Sequence, residues 1–129
     1  MSTRSRIAYE LPNGSIRSIY CHSDGYLEGP HGVGHMLHTY YQNPQAVHNL
    51  VAQGDRSSLQ GPDGEGRVYG GDSSTAVHPN LAFWAETYEE YNYLFNCDGE
   101  WYVTRQYGEP HEKIARKLAL ALVTERVTS

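Results

Sequence analysis

The apolar and polar positions of the first half of the chain predict a β-hairpin followed by two helices. Residues 5–22 alternate with a period of two on either side of Asn13 and Gly14, and Asn-Gly between two such runs is a strong hairpin signal. Residues 33–42 carry apolar positions at helical spacing. A second helix is expected to start after the capping residue Asn43 and to stop at Gly54.

The middle of the chain is less regular. Residues 55–79 are rich in Gly, Ser and Asp, and a structureless loop of this length is uncommon inside a compact domain. We therefore expect a short edge strand around Val68 and Tyr69, or else a lid or an arm that contacts a partner. Asn80 can then cap a third helix, whose apolar face comprises Leu81, Trp84, Tyr88 and Tyr91.

The last third of the chain predicts a second hairpin and a closing helix. Residues 91–97 and 100–107 flank the turn sequence 98–99 (Asp-Gly), and residues 110–125 carry an apolar stripe at helical spacing. The elements follow the order ββαα(β)αββα. This order predicts one α+β domain over residues 1–129, with an antiparallel sheet of two β-hairpins, a short edge strand as an option, and helices packed on one face.

Composition narrows the classes of function. The chain has 11 tyrosines against two phenylalanines, and tyrosine suits half-buried binding surfaces. A net charge of −5 predicts no general attraction to nucleic acid. The polar first residues and the shortness of the longest apolar run, 118–123, predict neither a signal peptide nor a membrane span. We therefore expect a cytoplasmic protein in which Cys21 and Cys97 are buried thiols.

Candidate chemistry is concentrated where the second predicted strand ends. If Cys21 is buried, alternation puts Tyr20 and His22 together on the outer side of the strand. An acid, a base and an aromatic ring then lie within one turn, an arrangement that serves catalysis and ligand binding equally well. The predicted ligand- or partner-binding residues are Tyr20, His22, Asp24, Tyr26, Arg4, Arg6, Arg67 and Tyr69.

These residue types suit two kinds of partner. Aromatic rings stack on bases and guanidinium groups bind phosphates, whereas Tyr and Arg also anchor protein interfaces. Histidines 31, 35 and 38 have the spacing of one helix face, but zinc needs three or four convergent ligands, and no other metal-binding spacing accompanies them. His31, His35 and His38 are therefore weak metal candidates, and we predict no cofactor. A homo-oligomer remains open.

The signature Tyr-Cys-His-x-Asp-Gly-Tyr at residues 20–26, together with the opening at residues 2–7, resembles a family of small phage proteins, notably of actinobacterial phages. The likeness continues through residues 32–34, Leu37, residues 40–41, 50–58 and 89–102. The family carries no activity over to this chain. Small phage proteins of this size most often bind something of the host.

The resemblance implies a non-enzymatic protein that sequesters a host factor in the host cytoplasm. Such an anti-defence protein either inhibits a host immune protein or acts as a sponge for a nucleotide immune signal. The alternative is a small hydrolase or transferase that uses His22 and Asp24, with or without a metal.

Overall fold

The computed structural model describes residues 3–27, 32–56, 59, 75–105 and 112–114. These residues form a six-stranded sheet and three helices, which confirms the predicted α+β class. The elements in chain order are β1 (Ser5–Glu10), β2 (Ile16–Cys21), α1 (Val33–Tyr40), α2 (Pro44–Ala52), β3 (Ala76–His78), α3 (Leu81–Ala85), β4 (Tyr91–Phe95), β5 (Trp101–Thr104) and β6 (Glu112–Lys113).

Both predicted hairpins form. Strands β1 and β2 pair antiparallel, and their turn closes with a hydrogen bond from the Leu11 amide to the Ser15 carbonyl at 2.8 Å. Gly14 in that turn has a φ of +89°, a conformation that glycine adopts readily. Strands β4 and β5 pair in the same way. The Asn96 amide donates to the Glu100 carbonyl at 2.9 Å across the second turn.

The two hairpins join through their first strands, and here the sheet differs from an entirely antiparallel one. The strand order is β3-β2-β1-β4-β5-β6, and β1 pairs parallel with β4 over residues 5–9 and 91–95. Parallel neighbours need a long crossover connection. The chain between β2 and β4 provides it, because it contains all three helices and the edge strand β3.

Helices lie on both faces of the sheet. On the first face, α1 and α2 pack on the main core, whose members include Ile7, Ile19, Cys21, Val33, Leu37, Val47, Leu50, Tyr93, Trp101 and Val103. On the second face, Trp84 of α3 packs on Ala8, Ile16 and Leu94. The expectation of helices on one face therefore does not describe α3. Apolar residues alternate onto both faces of β1 and β4, so both faces need a cover.

Helix α3 is shorter than its predicted apolar face, because side chains after it bind backbone groups. The Thr87 hydroxyl donates to the Trp84 carbonyl at 2.7 Å, and the Asn92 side chain accepts from the Glu89 amide at 2.9 Å. Such bonds compete with helix continuation. Leu81, which the sequence placed on the apolar face with Trp84, is exposed, and Tyr91 lies in β4.

The predicted arm and the closing helix fall mostly outside the described residues. An edge strand, β3, does form at the end of residues 55–79. Val68 and Tyr69, around which an edge strand was expected, lie outside the described residues. Residues 112–113 pair with β5 as strand β6, where the first helical turn was expected. The rest of the closing helix also lies outside the described residues.

The two cysteines differ. Cys21 is buried, as predicted, and burial raises the pKa of its thiol to about 11, because a thiolate loses its hydration there. The prediction that Cys97 is buried is wrong. It lies just after β4 in the exposed turn of the second hairpin, and its thiol donates to the Glu10 carbonyl at 3.5 Å.

Substituting Gly25 with Ala should destabilise the fold. The Gly25 amide donates to the Thr3 carbonyl at 2.8 Å, and a Cβ added here would lie 2.7 Å from that same carbonyl oxygen and 2.8 Å from the Ser5 Cβ. Overpacking against backbone costs about 1–3 kcal/mol. Chemical denaturation of Gly25→Ala should therefore show this loss in the free energy of unfolding.

The neighbouring variant Asp24→Asn is the control for this prediction. Asp24 has a φ of +58°, which Asn tolerates, and Asn keeps the oxygen that accepts from Tyr26. Its free energy of unfolding should stay near that of the parent chain. Equal stability of Gly25→Ala and the parent would contradict the close approach of residues 3–5 to this turn.

Candidate functional site

The second face of the sheet carries a group of polar side chains near the start of β1 and the end of β2. Arg6 and Tyr20 stand directly opposite each other in the antiparallel pair, so their side chains leave the sheet on the same face. Both are half-buried. His22, one residue beyond β2, joins them, because the Tyr20 hydroxyl lies 2.7 Å from His22 Nδ1. The predicted grouping of Tyr20 and His22 therefore forms.

The segment after α2 fixes the backbone of this strand end. Arg56 forms a parallel bridge with Cys21: its amide donates to the Tyr20 carbonyl at 2.8 Å, and the His22 amide donates to the Arg56 carbonyl at 3.1 Å. The Asp55 carboxylate accepts from the Tyr20 amide at 2.9 Å. Sequence reasoning missed Asp55, and the only available signal was an acid directly after the helix stop Gly54.

Arg6 links the sheet to the loop that follows α3. Its Nε donates to the Thr87 hydroxyl at 3.2 Å, the one hydrogen bond that the guanidinium makes to the described part of the chain. Burial lowers the pKa of Arg6, and the negative charges of Asp55 and Glu89 oppose this shift. The group nevertheless stays charged, because arginine does not lose its proton in proteins. We call Arg6, Tyr20, His22, Asp55 and Thr87 the polar patch.

A serine–histidine pair lies on the same face but is sealed inside it. Ser18 Oγ is 3.0 Å from His78 Nε2, a spacing that would suit a nucleophile and its base. Ser18, however, is completely buried on β2 between its neighbours β1 and β3. No substrate reaches a hydroxyl in that position. The pair satisfies the hydrogen-bonding needs of two buried polar groups.

The remaining acid and tyrosine of the predicted turn form a separate pair. The Tyr26 hydroxyl donates to the Asp24 carboxylate at 3.2 Å, and Asp24 is exposed in the left-handed conformation. The predicted turn is thus divided into Tyr20 with His22 and Asp24 with Tyr26. These bonds give His22 a phenol, and not a carboxylate, as its partner, an arrangement that does not favour a joint catalytic role of His22 and Asp24.

The other predicted residues have varied positions. Arg4 is exposed one residue before β1, two positions from Arg6. Arg67, Tyr69 and His31 lie outside the described residues. His35 and His38 are half-buried on α1. Within the described ranges, no group of three or more His, Cys, Asp or Glu side chains could hold a metal ion, and no helix there is long and apolar enough to cross a bilayer.

Comparisons of this chain with protein-family models, with curated proteins and with solved structures find no match. The resemblance to phage proteins that residues 20–26 suggest therefore stays a prediction. The chemistry of the polar patch is what indicates a function. Its members come from β1, from the end of β2 and from the loops after α2 and α3.

The buried serine–histidine pair predicts a loss of stability in acid. Burial, and then the positive charge of Arg6, lower the pKa of His78 below its ordinary value of 6.5. The unfolded chain therefore binds a proton at His78 more readily than the folded chain, so this contribution to stability is complete above about pH 6.5 and declines as the pH falls below it. Denaturation between pH 7.5 and 5 should show this decline.

The variant His78→Gln isolates the effect, because its amide can still bond Ser18 but does not titrate. The slope of unfolding free energy against pH should be smaller in this variant than in the parent chain. Identical slopes in the two proteins would show that His78 is not desolvated in the folded state.

Proposed function

We propose that this chain is a phage-encoded, non-enzymatic binding protein that sequesters a host factor in the host cytoplasm and uses the polar patch as its recognition surface. Arg6 is the observation that carries the proposal. Its guanidinium is half-buried and oriented by Thr87 through Nε, and no described residue accepts from its two Nη groups. A partly desolvated charge is costly to hold, and a bound partner with two acceptor oxygens recovers that cost.

The neighbours of Arg6 support a role in binding. Tyr20 and His22 form a hydrogen-bonded pair with ring centroids 6.0 Å apart, and the bridge to Arg56 fixes their backbone. A surface whose side chains are already held in place loses little conformational entropy when a partner binds. Arginine and tyrosine are also the residue types that most often dominate binding energy.

The resemblance of residues 20–26 supports the biological setting. It is the basis for proposing that the protein is made by a phage and that the captured factor belongs to a host immune system. Sequestration needs only tight binding, which is consistent with a site that joins His22 to a phenol and leaves the buried Ser18 out of reach.

A second candidate function is inhibition of a host immune protein through a larger interface. The exposed side chains of Leu81 and Phe83, at 41% and 52% exposure, favour it. Both belong to α3, which lies next to the polar patch. The Thr87 hydroxyl joins the two, because it donates to the Trp84 carbonyl of α3 and accepts from Arg6. An aromatic anchor beside a polar patch is typical of protein interfaces.

An infection assay tests the proposed function. The chain is expressed in a bacterium whose immune system restricts a phage, and the plating efficiency of that phage should rise. Arg6→Gln and Tyr20→Ala should lower the affinity for the factor about ten-fold or more, since each removes more than about 1.4 kcal/mol of binding, and most of the gain in plating should be lost. Tyr40→Ala, an exposed tyrosine on the other face, should keep it.

Thermal melting checks that Arg6→Gln and Tyr20→Ala are folded, and Arg6→Lys provides a milder second variant. If folded Arg6 and Tyr20 variants raise plating as much as the parent chain does, the polar patch is not the recognition surface. A parent chain that leaves plating unchanged against every immune system tried would contradict sequestration of an immune factor.

The second candidate has its own variant. Phe83→Ser removes an exposed aromatic ring without changing the polar patch. If α3 is the anchor, this variant should no longer raise the plating of the phage, and the immobilised variant should no longer capture the specific host protein that the parent chain captures. Recovery is quantified by mass spectrometry against Tyr40→Ala. Full protection by Phe83→Ser would exclude α3 as the interface.

A further inference from the structure

The free edge of the Arg6 guanidinium suits a ligand with two oxygens on one atom. Because Nε is bonded to Thr87, the plane of the group is fixed. No acceptor within the described ranges binds either Nη group, which leaves both for an outside ligand. Carboxylates and phosphates accept such a pair of parallel hydrogen bonds. Arg4 precedes β1 by one residue and is exposed, so it supplies a second cation two positions along the same chain segment.

The rings beside Arg6 distinguish between these acceptors. When His22 Nδ1 accepts the proton of the Tyr20 hydroxyl, the ring hydrogen is on Nε2, which becomes a further donor. The two rings are tilted by 57° to each other, so each offers a different plane for stacking. A ligand that combines an anionic group with a flat heteroaromatic ring uses all of these features, whereas a simple carboxylate uses only Arg6.

Charge around the patch restricts the size of the ligand. Asp55 and Glu89 are close enough to act on the Arg6 charge. Glu86 and Glu90 are exposed in the same segment between α3 and β4, and the whole chain carries a net charge of −5. A long nucleic-acid strand would place many phosphates against these acids. A mononucleotide or dinucleotide brings only one or two phosphates to Arg6.

We infer that the polar patch binds a small nucleotide, with a phosphate on Arg6 and the base against Tyr20 and His22. This inference rests on the proposed function and names the class of host factor that is sequestered. The Asn92 side chain binds only the backbone of Glu89. The Glu89 carboxylate is not held by these bonds, and its negative charge near Arg6 opposes the binding of a phosphate. Arg6 therefore raises the affinity for the nucleotide, and Glu89 lowers it.

Calorimetric titration of the full chain tests the inference. The probes are a cyclic dinucleotide and ADP-ribose, with adenosine and inorganic phosphate as partial ligands. We expect at least one of the two nucleotides to bind, and each partial ligand to bind at least about ten-fold more weakly. Arg6→Gln should weaken nucleotide binding about ten-fold or more, and Glu89→Gln should strengthen it roughly two- to five-fold by removing a nearby negative charge.

Arg17→Gln is the matched control, because Arg17 is an exposed arginine of β2 that pairs with Tyr9 and so lies on the first face. It should bind like the parent chain. Binding that falls equally in Arg17→Gln and Arg6→Gln would indicate general attraction to positive charge and overturn the inference. Absence of binding by every probe would overturn it too.

The two proposals fail in different ways. If the infection assay depends on Arg6 and Tyr20 but neither nucleotide binds, sequestration stands and the factor is not a small nucleotide. If nucleotides bind at Arg6 but the parent chain never changes plating, the site exists and the anti-defence role is wrong.

Discussion

The parallel pairing of β1 with β4 is the constraint on which the rest of the structure depends. It joins two local hairpins into one sheet and sets Arg6 beside Asn92. The Asn92 side chain, in turn, holds the backbone of Glu89 through its amide and carbonyl, each at 2.9 Å. This loop brings Thr87 over the sheet, where its hydroxyl accepts from Arg6. One strand register therefore determines both the shape of the second face and the orientation of the guanidinium.

Local features of this fold could be predicted from the sequence, and contacts between distant segments could not. The turn at Gly14 and the cap at Asn43 follow from residue types within a few positions of each other, and alternation was sufficient to group Tyr20 with His22. The parallel contact and the position of α3 depend on which apolar strand face needs a cover. That information is spread over residues as far apart as Ala8 and Trp84. Cys97 was misassigned because the predicted strand 91–97 extends two residues beyond Phe95, where β4 ends.

The same distinction explains the candidate site. The pair of Tyr20 and His22, which lies at the end of one strand, was predictable. Asp55, in contrast, contacts Tyr20 across 35 positions of the sequence, and Thr87 contacts Arg6 across 81. These distant partners change the chemistry, because they turn an isolated cation into an oriented one within range of two acids. They also divide the predicted turn, since Asp24 is bonded to Tyr26 and His22 to Tyr20. A pattern of residue types indicates which groups are available, but only the fold decides which of them meet.

The two tryptophans of the chain lie on opposite faces of the sheet. Trp101 is buried in the main core, with its indole nitrogen donating to the Tyr41 carbonyl. Trp84 is buried between α3 and the sheet, in edge-to-face contact with Tyr88. Its carbonyl accepts from the Thr87 hydroxyl, which in turn accepts from Arg6. Replacing Trp101 with Phe would leave Trp84 as the single tryptophan among 11 tyrosines, so its emission, excited at a wavelength that tyrosine does not absorb, would report without any label whether the surface beside it is occupied.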